Sequence, residues 1–467
     1  TNMSAEDDNE YFSDGMTEDI LTLLSKIQGL SVTSRTSIMQ YKNTEKDTRR
    51  IARELKVNHL LEGSVRREGN QVRITAQLID AINDNHLWAK TYDEELTSIF
   101  SVQSQVAEDI AKHLKKNLAI NDRQEMKYEK TKDYSAYDKY LKGRQHYRKY
   151  NKEDNEKAIE YFHAALDIDH NYSNAMAGLG DAYAQRGKWG SEEGNDLDSA
   201  LYFSKKAISV DPDLSEGHKA LGLAYQYQGK VDSALQEYKI AINLDPNNDM
   251  ASNNIGMIYR KKGDFKESAK WIHRTFAINK TVPISTMNLA DMYLEIGDDR
   301  MAKSITEDGL AAHPDNSDLQ LTKGEILLRE GNFDEAKKIG NNLINDETIS
   351  SRVHAFLGDV FLREKDWLKA GEHFGEALAD LKAKGGHSEI LEAQYALVEF
   401  KQGNQELAQK KWINILDHVD KKEKSAENCL LKSGIYASMG MKEKALLCLE
   451  EAKTLNWLCL LYTSDAA

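Results

Sequence analysis

The side chains of this 467-residue chain that could do chemistry are few and widely separated. His59 and Glu62 could serve as a general base and acid, which would need a third group to orient them. No such partner is evident, and placement at the start of a strand accounts for both. Arg66, Arg67 and Arg73 could hold a phosphate, but arginines spread along a hairpin more simply make an exposed face. His86 beside Trp88 reads as packing. Gly178-x-Gly180 looks like half of a phosphate loop, yet it follows no strand and lacks the rest of G-x-G-x-x-G. A role in helix packing fits it better. The three cysteines, Cys429, Cys448 and Cys459, show no C-x-x-C spacing. No nucleophile, metal or phosphate constellation emerges, so neither an enzyme activity, a metal nor a cofactor is expected of these residues.

The composition supports a folded, mostly helical chain. Hydrophobic residues make up 40% and charged residues 30%, and there are only 4 prolines. The formal net charge is -14, and both the first 130 residues and the remainder are acidic. No basic half or stripe stands out, which argues against direct nucleic-acid contact. The longest apolar run, Leu458-Cys459-Leu460-Leu461-Tyr462, is far too short to span a membrane. The first residues lack the charged and apolar regions of a signal peptide.

The elements that would position a site declare themselves by repetition. Tyr225, Tyr259, Tyr293, Leu327 and Phe361 recur every 34 residues. So do Gly222, Gly256, Ala290, Gly324 and Gly358, and Leu221, Ile255, Leu289 and Leu357, the last series broken by Lys323. Gly229, Gly263, Gly297 and Gly331 follow the same period, as do Ala234, Ser268, Ala302, Ala336 and Ala370. Pro212, Pro246 and Pro314 sit 34 and 68 residues apart. Within one period, Leu221, Gly222 and Tyr225 share a face of a first helix and Gly229 ends it. Ala234, Tyr238 and Ala241 share a face of a second helix. Asp245-Pro246-Asn247-Asn248 turns into the next unit.

This pattern resembles the tetratricopeptide repeat (TPR), a 34-residue helix-turn-helix unit. Five units run in phase: 215–248, 249–282, 283–316, 317–350 and 351–384. Two looser units follow, using Gly403 with Ala408 and Gly440 with Ala445. Two more precede, through Gly143 and Ala158 and through Gly180 and Ala200, the second with a polar loop at Gly187–Asn195. Lys323 and Gly340 sit where apolar or bulky residues are wanted, marking 317–350 as the weakest unit. The expected fold is therefore mainly α: a solenoid of about nine TPR helix pairs over 135–459, after a linker at 123–134. The final Cys459–Ala467 stretch fits neither a capping helix nor a turn, and residues 460–467 read as a non-native tail.

The resemblance implies that residues 2, 5, 9, 12 and 13 of each first helix line an inner groove for a protein or peptide ligand. The residues singled out on this basis are Lys219, Gln226, Tyr227, Asn253, Met257, Arg260 and Lys261, with Lys219, Asn253, Arg260 and Lys261 as the recognition patch. Asp291 and Glu325 occupy groove positions in later units. Lys219 and Asn254 fit two positions of the clamp that some TPR proteins use for a C-terminal carboxylate, whereas Leu223 and Ile284 do not fit the others.

Residues 1–122 show no such period. Helices are expected from Asp14 to about Ile27, over Thr48–Leu55 and over 97–118, with Ile99, Val102, Val106, Ile110 and Leu114 on one face of the last. Leu30–Ser34 reads as a short strand. A hairpin turns at Glu68-Gly69-Asn70, and His86–Tyr92 is a further strand. The order β-α-β-β-β-α predicts a small α/β domain. The phrases NEYFSDGMTEDILTLLS, LLEGSVRREGNQVRITAQLIDA and HLWAKTYDEEL resemble the TolB-like N-terminal domain of bacterial proteins, without that family's first apolar strand, so the chain reads as a fragment. The resemblance implies an upstream module, either a class III adenylate or guanylate cyclase or a winged-helix DNA-binding domain. The expected function is a non-catalytic interaction and regulatory region of a bacterial signalling protein. The alternatives are the regulatory half of a cyclase and the sensory half of a winged-helix regulator. The oligomeric state is left open, as is placement in the cytoplasm or on the periplasmic side of a membrane-anchored parent.

Overall fold

The computed structural model describes residues 2–3, 10–25, 27, 30, 32–42, 44, 46–114, 131, 133–189, 194–279, 282–384, 386–422 and 425–454. Residues 123–130 of the expected linker at 123–134, the tail at 460–467, Cys459 and Trp457 lie outside them. The described residues form 22 helices and one three-stranded sheet. None of these helices is long and apolar enough to cross a membrane.

The N-terminal region runs α1 (Glu10–Ser25), α2 (Arg35–Met39), α3 (Thr48–Leu55), β1 (His59–Glu68), β2 (Gln71–Asp80), β3 (Asn85–Glu95) and α4 (Ile99–Leu114). The strands pair antiparallel in the order β1-β2-β3. Gly69, with φ +57°, makes the tight turn of the first hairpin. Val72, Ile74, Ala76 and Leu78 alternate along β2 and are all buried. They join Phe12, Met16 and Ile20 of α1 and Ile99, Val102, Val106 and Ile110 of α4 in one core. The expected strand at 30–34 is not formed. Ser34 instead caps α2, its hydroxyl accepting a hydrogen bond from Ser37 N, and Leu30 and Val32 pack against the core from loop conformations. The observed order is accordingly α-α-α-β-β-β-α, with a parallel bridge between Asn2 and Val65.

The remaining 18 helices form nine pairs. The first five pairs are α5 (Tyr134–Tyr147) with α6 (Lys152–Ile168), α7 (Ser173–Trp189) with α8 (Asp196–Val210), α9 (Ser215–Tyr227) with α10 (Val231–Leu244), α11 (Asp249–Lys261) with α12 (Phe265–Ile278), and α13 (Pro283–Glu295) with α14 (Asp299–Ala312). The last four are α15 (Ser317–Arg329) with α16 (Phe333–Leu343), α17 (Ser350–Arg363) with α18 (Trp367–Ala383), α19 (Glu389–Lys401) with α20 (Gln405–Val419), and α21 (Ala426–Ser438) with α22 (Lys442–Thr454). Helix α7 continues through Gly187–Trp189, so the expected polar insert is shorter than its sequence suggests.

Several repeats are built by one steric device. A Cβ added at Gly222 would lie 2.8 Å from the Tyr238 ring, and one at Gly358 would lie 2.6 Å from the Phe374 ring. Only glycine lets the second helix bring an aromatic ring so close to the first. In the 317–350 unit Gly340 stands where Tyr238 and Phe374 stand elsewhere. There Phe356, from the next pair, reaches within 2.8 Å of a Cβ built on Gly324, so the space is filled from a different helix. Gly178 and Gly180 do the same work on α7: a Cβ on Gly178 would meet the Phe162 ring at 2.7 Å, and one on Gly180 would clash with Ser204 Oγ.

The first helices pack on one another, as α7 does on α9 and α13 on α15, and α15 on α17. Second helices show no comparable mutual packing among the described residues. First helices therefore line an inner face, the geometry of an α-solenoid. The chain divides into two compact units, Thr1–Ile255 with Ala277–Lys280, and Gly256–Phe276 with Thr281–Ala467.

Candidate interaction surface

In the first unit, the inner face of α5 is occupied by the chain's own N-terminal region. Glu18 of α1 accepts hydrogen bonds from Arg144 Nη2 at 2.7 Å and from Arg148, and Arg35 Nε stands 3.9 Å away. Burial alone would raise the Glu18 carboxyl, but Arg144, Arg148 and Arg35 overcome it and hold the group well below the usual carboxylate range. Beside it, Asp19 accepts from the Tyr137 hydroxyl and from Gln103 Nε2 at 3.0 Å. Asn279 is hydrogen-bonded to Ser34 and to Asp249. The Glu18–Arg144, Asp19–Tyr137 and Ser34–Asn279 contacts join residues over 100 positions apart, so no periodic signal in the sequence marks them.

The seven groove residues singled out from the sequence have these surroundings. Lys219 is buried and ion-paired with Asp181, whose carboxyl is pushed up by burial against the pull of that lysine. Gln226 accepts from the Tyr238 hydroxyl at 2.8 Å. Tyr227 is half-buried under the Lys188 ammonium, 5.9 Å from its ring centre. Asn253 is half-buried. In the second unit, Met257 is half-buried and Lys261 exposed. Arg260 makes a two-pronged pair with Glu295, at 2.8 and 2.6 Å. Of the four residues of the patch, Lys219 and Arg260 thus spend their charge inside the array.

The second unit shows a different feature. Asp291, Glu325 and Asp359 occupy one register position on α13, α15 and α17, spaced by the 34-residue period, and all three are half-buried. Burial raises the Asp291 carboxyl to about 6, with Arg260 and Arg352 pulling the other way. Burial and then the Asp291 charge raise Glu325 to about 7. Burial raises Asp359 to about 7 against Arg363, and Gln394 Nε2 donates to its Oδ1 at 2.6 Å. The nearby Arg352 is engaged with Asp318. The 34-residue spacing could have exposed this ladder in the sequence. Asp291 and Glu325 are legible in the sequence as groove positions, whereas Asp359 and the burial that raises all three carboxyls are not.

The arginines of the N-terminal sheet do not converge. Arg73 pairs with Asp93 at 2.5 Å on the exposed face, while Arg67 faces Asp138 at 3.4 Å. Glu62 accepts from Gln77 at 2.9 Å, and His59 is exposed at the strand's start. Trp88 packs on the ring of His113, 5.9 Å between centres. Farther along, His387, Glu389 and His418 bring three possible metal-ligating atoms within 4.8 Å of one another, a grouping that their spacing in the sequence did not reveal.

Comparison with known proteins identifies two segments. Residues 225–263 match the TPR repeat family, so the chain carries TPR repeats. Residues 5–109 match the family described as HilA/YgeH-like transcriptional regulator, second domain, where the sequence phrases resemble a TolB-like domain. A relative named "Putative adenylate cyclase 3" from Rhizobium meliloti (strain 1021) is 36% identical over 233 residues, covering 50% of this chain and 40% of that protein. The chain therefore matches well under half the length of this curated relative. Among solved structures, a tetratricopeptide repeat protein from Parabacteroides merdae ATCC 43184 is 16% identical, covering 57% of this chain and 99% of its own, with a TM-score of 0.42. The human IFIT1 dimer with m7Gppp-AAAA is 15% identical, covering 95% of both chains, with a TM-score of 0.47.

Proposed function

We propose that this chain is a non-catalytic, partner-binding region of a bacterial signalling protein, and that its second unit takes a cationic, extended segment of a protein partner along the inner face of α13, α15 and α17. The observation that carries this reading is the inner layer of TPR first helices bearing Asp291, Glu325 and Asp359 at one repeated position. TPR repeats generally bind proteins, and half-buried carboxylates held near neutrality gain from an arriving ammonium or guanidinium. Met257 and Lys261 stand in the same unit as further contacts. The test is fluorescence anisotropy with extended peptides carrying lysine or arginine every few residues. Those peptides should bind more tightly than neutral or acidic ones, and Glu325→Gln should weaken them. Equal binding of all three peptide classes would refute the reading.

Two wider settings rest on the comparisons. The identity shared with the adenylate cyclase relative supports a regulatory half whose catalytic domain lies upstream. The match at 5–109 supports the sensory half of a transcriptional regulator. In either setting this chain, given ATP and Mn²⁺, should yield no cyclic AMP, because no nucleophile or metal-assisted nucleotide site is assembled among the described residues. Cyclic AMP production by the purified chain would overturn the non-catalytic reading.

A further inference from the structure

We propose that His387, Glu389 and His418 form a binding site for a single zinc-class divalent cation in the eighth helix pair. The antiparallel hairpin places the start of α19 beside the end of α20. His387 directly precedes the cap Ser388, Glu389 opens α19, and His418 lies in the last turn of α20. Glu389 Oε1 is 3.5 Å from His387 Nε2 and 3.3 Å from His418 Nε2. Ligands bonded to zinc at about 2.0–2.1 Å in a tetrahedral arrangement stand about 3.3 Å apart, so these separations already match two edges of that polyhedron. The two imidazole rings lie 6.1 Å apart at 88° to each other, so they approach a shared point from different directions.

The surroundings supply what such a site needs. Glu392 Oε1 lies 3.4 Å from His387 Nδ1, placed to accept a proton from that nitrogen and so leave Nε2 free to ligate. A carboxylate behind a ligating histidine is the usual orienting partner in zinc sites. The ligating atoms face a cleft of about 520 Å³ that also includes Tyr395, Lys411 and Asn414, which leaves room for water at the remaining positions. Two imidazoles with one carboxylate suit zinc, nickel or copper, and suit calcium or magnesium poorly because those ions take oxygen ligands.

One contact competes. The Lys422 ammonium is hydrogen-bonded to the same Glu389 oxygen. The lysine side chain is 42% exposed and Glu389 is 17% exposed, so the lysine can withdraw into solvent while the carboxylate stays in place. The lysine is thus a displaceable cation at the position that the metal would take.

The experiment is a Co²⁺ titration of the metal-stripped full-length chain by visible absorbance, followed by Zn²⁺ competition and calorimetry. The expected result is one ion per chain, ligand-field bands of low coordination number and no thiolate charge-transfer band, which separates this site from Cys429 and Cys448. His387→Ala and His418→Ala should each lower the Zn²⁺ affinity at least ~10-fold, since losing even an orienting group costs about that much. Lys422→Met should raise the affinity, a gain that misfolding cannot mimic. Helical circular dichroism unchanged across the variants secures the comparison. The proposal is overturned by the absence of one-to-one binding, by a thiolate band, or by unchanged affinity in the double histidine variant.

Discussion

The inner faces of α5 and of α13, α15 and α17 are built on the same repeat but carry opposite electrostatic solutions. On α5, the chain's own α1 supplies the partner: Glu18 sits among Arg144, Arg148 and Arg35, and its charge is fully used. On the later helices, Asp291, Glu325 and Asp359 stand where burial outweighs the arginines around them, with the charges of Asp291 and Asp359 adding to it at Glu325, and their carboxyls are pushed toward neutrality. A first helix therefore specifies the scaffold through its buried glycine and aromatic positions, while its inner positions are free to bind either the chain itself or something else. The first use is met within the chain, and the second is the feature on which the proposed binding of a cationic partner rests.

The largest expected effect breaks the first half of this comparison. Glu18→Ala would leave Arg144 and Arg148 without the carboxylate they share at a half-buried site, and Arg35 with Asp14 alone. Removing one partner of such a network costs about 3–5 kcal/mol. The urea midpoint for the first unit should fall sharply, with amide exchange rising in α1 and α5 together. Exchange rising in α1 alone, with α5 still protected, would mean that the contact holds the helix in place without stabilising the repeat.

Next in size is the second half. Glu325→Gln keeps the shape and removes the charge. The folded carboxyl holds its proton up to about pH 7, whereas unfolded carboxyls titrate near about pH 4. The folded state therefore binds more protons between these values, and stability falls as pH rises through that window. The variant should gain on the order of 1–2 kcal/mol at pH 8 and progressively less toward pH 5. Glu18 runs the other way. Its folded carboxyl is depressed, so its contribution is present above about pH 4.5 and is lost as pH falls through the acid range. Relative to the unaltered chain, the Glu325 variant should gain stability as pH rises from 5 to 8, whereas the deficit of the Glu18 variant should hold steady over that range and shrink as pH falls from 5 to 3; a deficit that persists at pH 3, or a Glu325 gain that does not change with pH, would erase the distinction between the two faces.

Legibility in the sequence follows the same division. The period was readable because each repeat demands the same backbone and packing. Gly229, Gly263, Gly297 and Gly331 recur since all have φ between 76° and 79°. Gly222 and Gly358 recur since each takes an aromatic ring at van der Waals distance. The alternation of Val72, Ile74, Ala76 and Leu78 exposed the hairpin for the same reason, a local rule repeated. What stayed hidden depends on pairs that no local rule links. Glu18 with Arg144 and His387 with His418 come together only once helices have packed. Leu30–Ser34 misled because its apolar residues look like a strand, yet Ser34 finds a helix to cap and no strand among the described residues pairs with it.

The smallest expected effect concerns a position where the repeat departs from its own rule. Each first helix from α9 to α15 closes with a left-handed glycine followed by a 6→1 hydrogen bond, such as Lys230 N to Tyr225 O at 2.9 Å. Helix α17 makes the same bond, Asp366 N to Phe361 O at 3.0 Å, but the left-handed residue is Lys365, with φ +62°. A side chain with a Cβ is held there against its preference, and the tight packing of Gly358 on Phe374 keeps the helix ending in register. Lys365→Gly should therefore stabilise the second unit, by about 0.5–1 kcal/mol less whatever the glycine loses in unfolded-state freedom. The mirror change, Gly331→Ala at the end of α15, should cost about 1 kcal/mol, because alanine resists φ +78°. Equilibrium unfolding of both variants at pH 5, where the carboxylate ladder is largely neutral, isolates this backbone term. If the two changes shift the midpoint in the same direction, the helix ending is governed by packing around Phe361 and not by the left-handed turn.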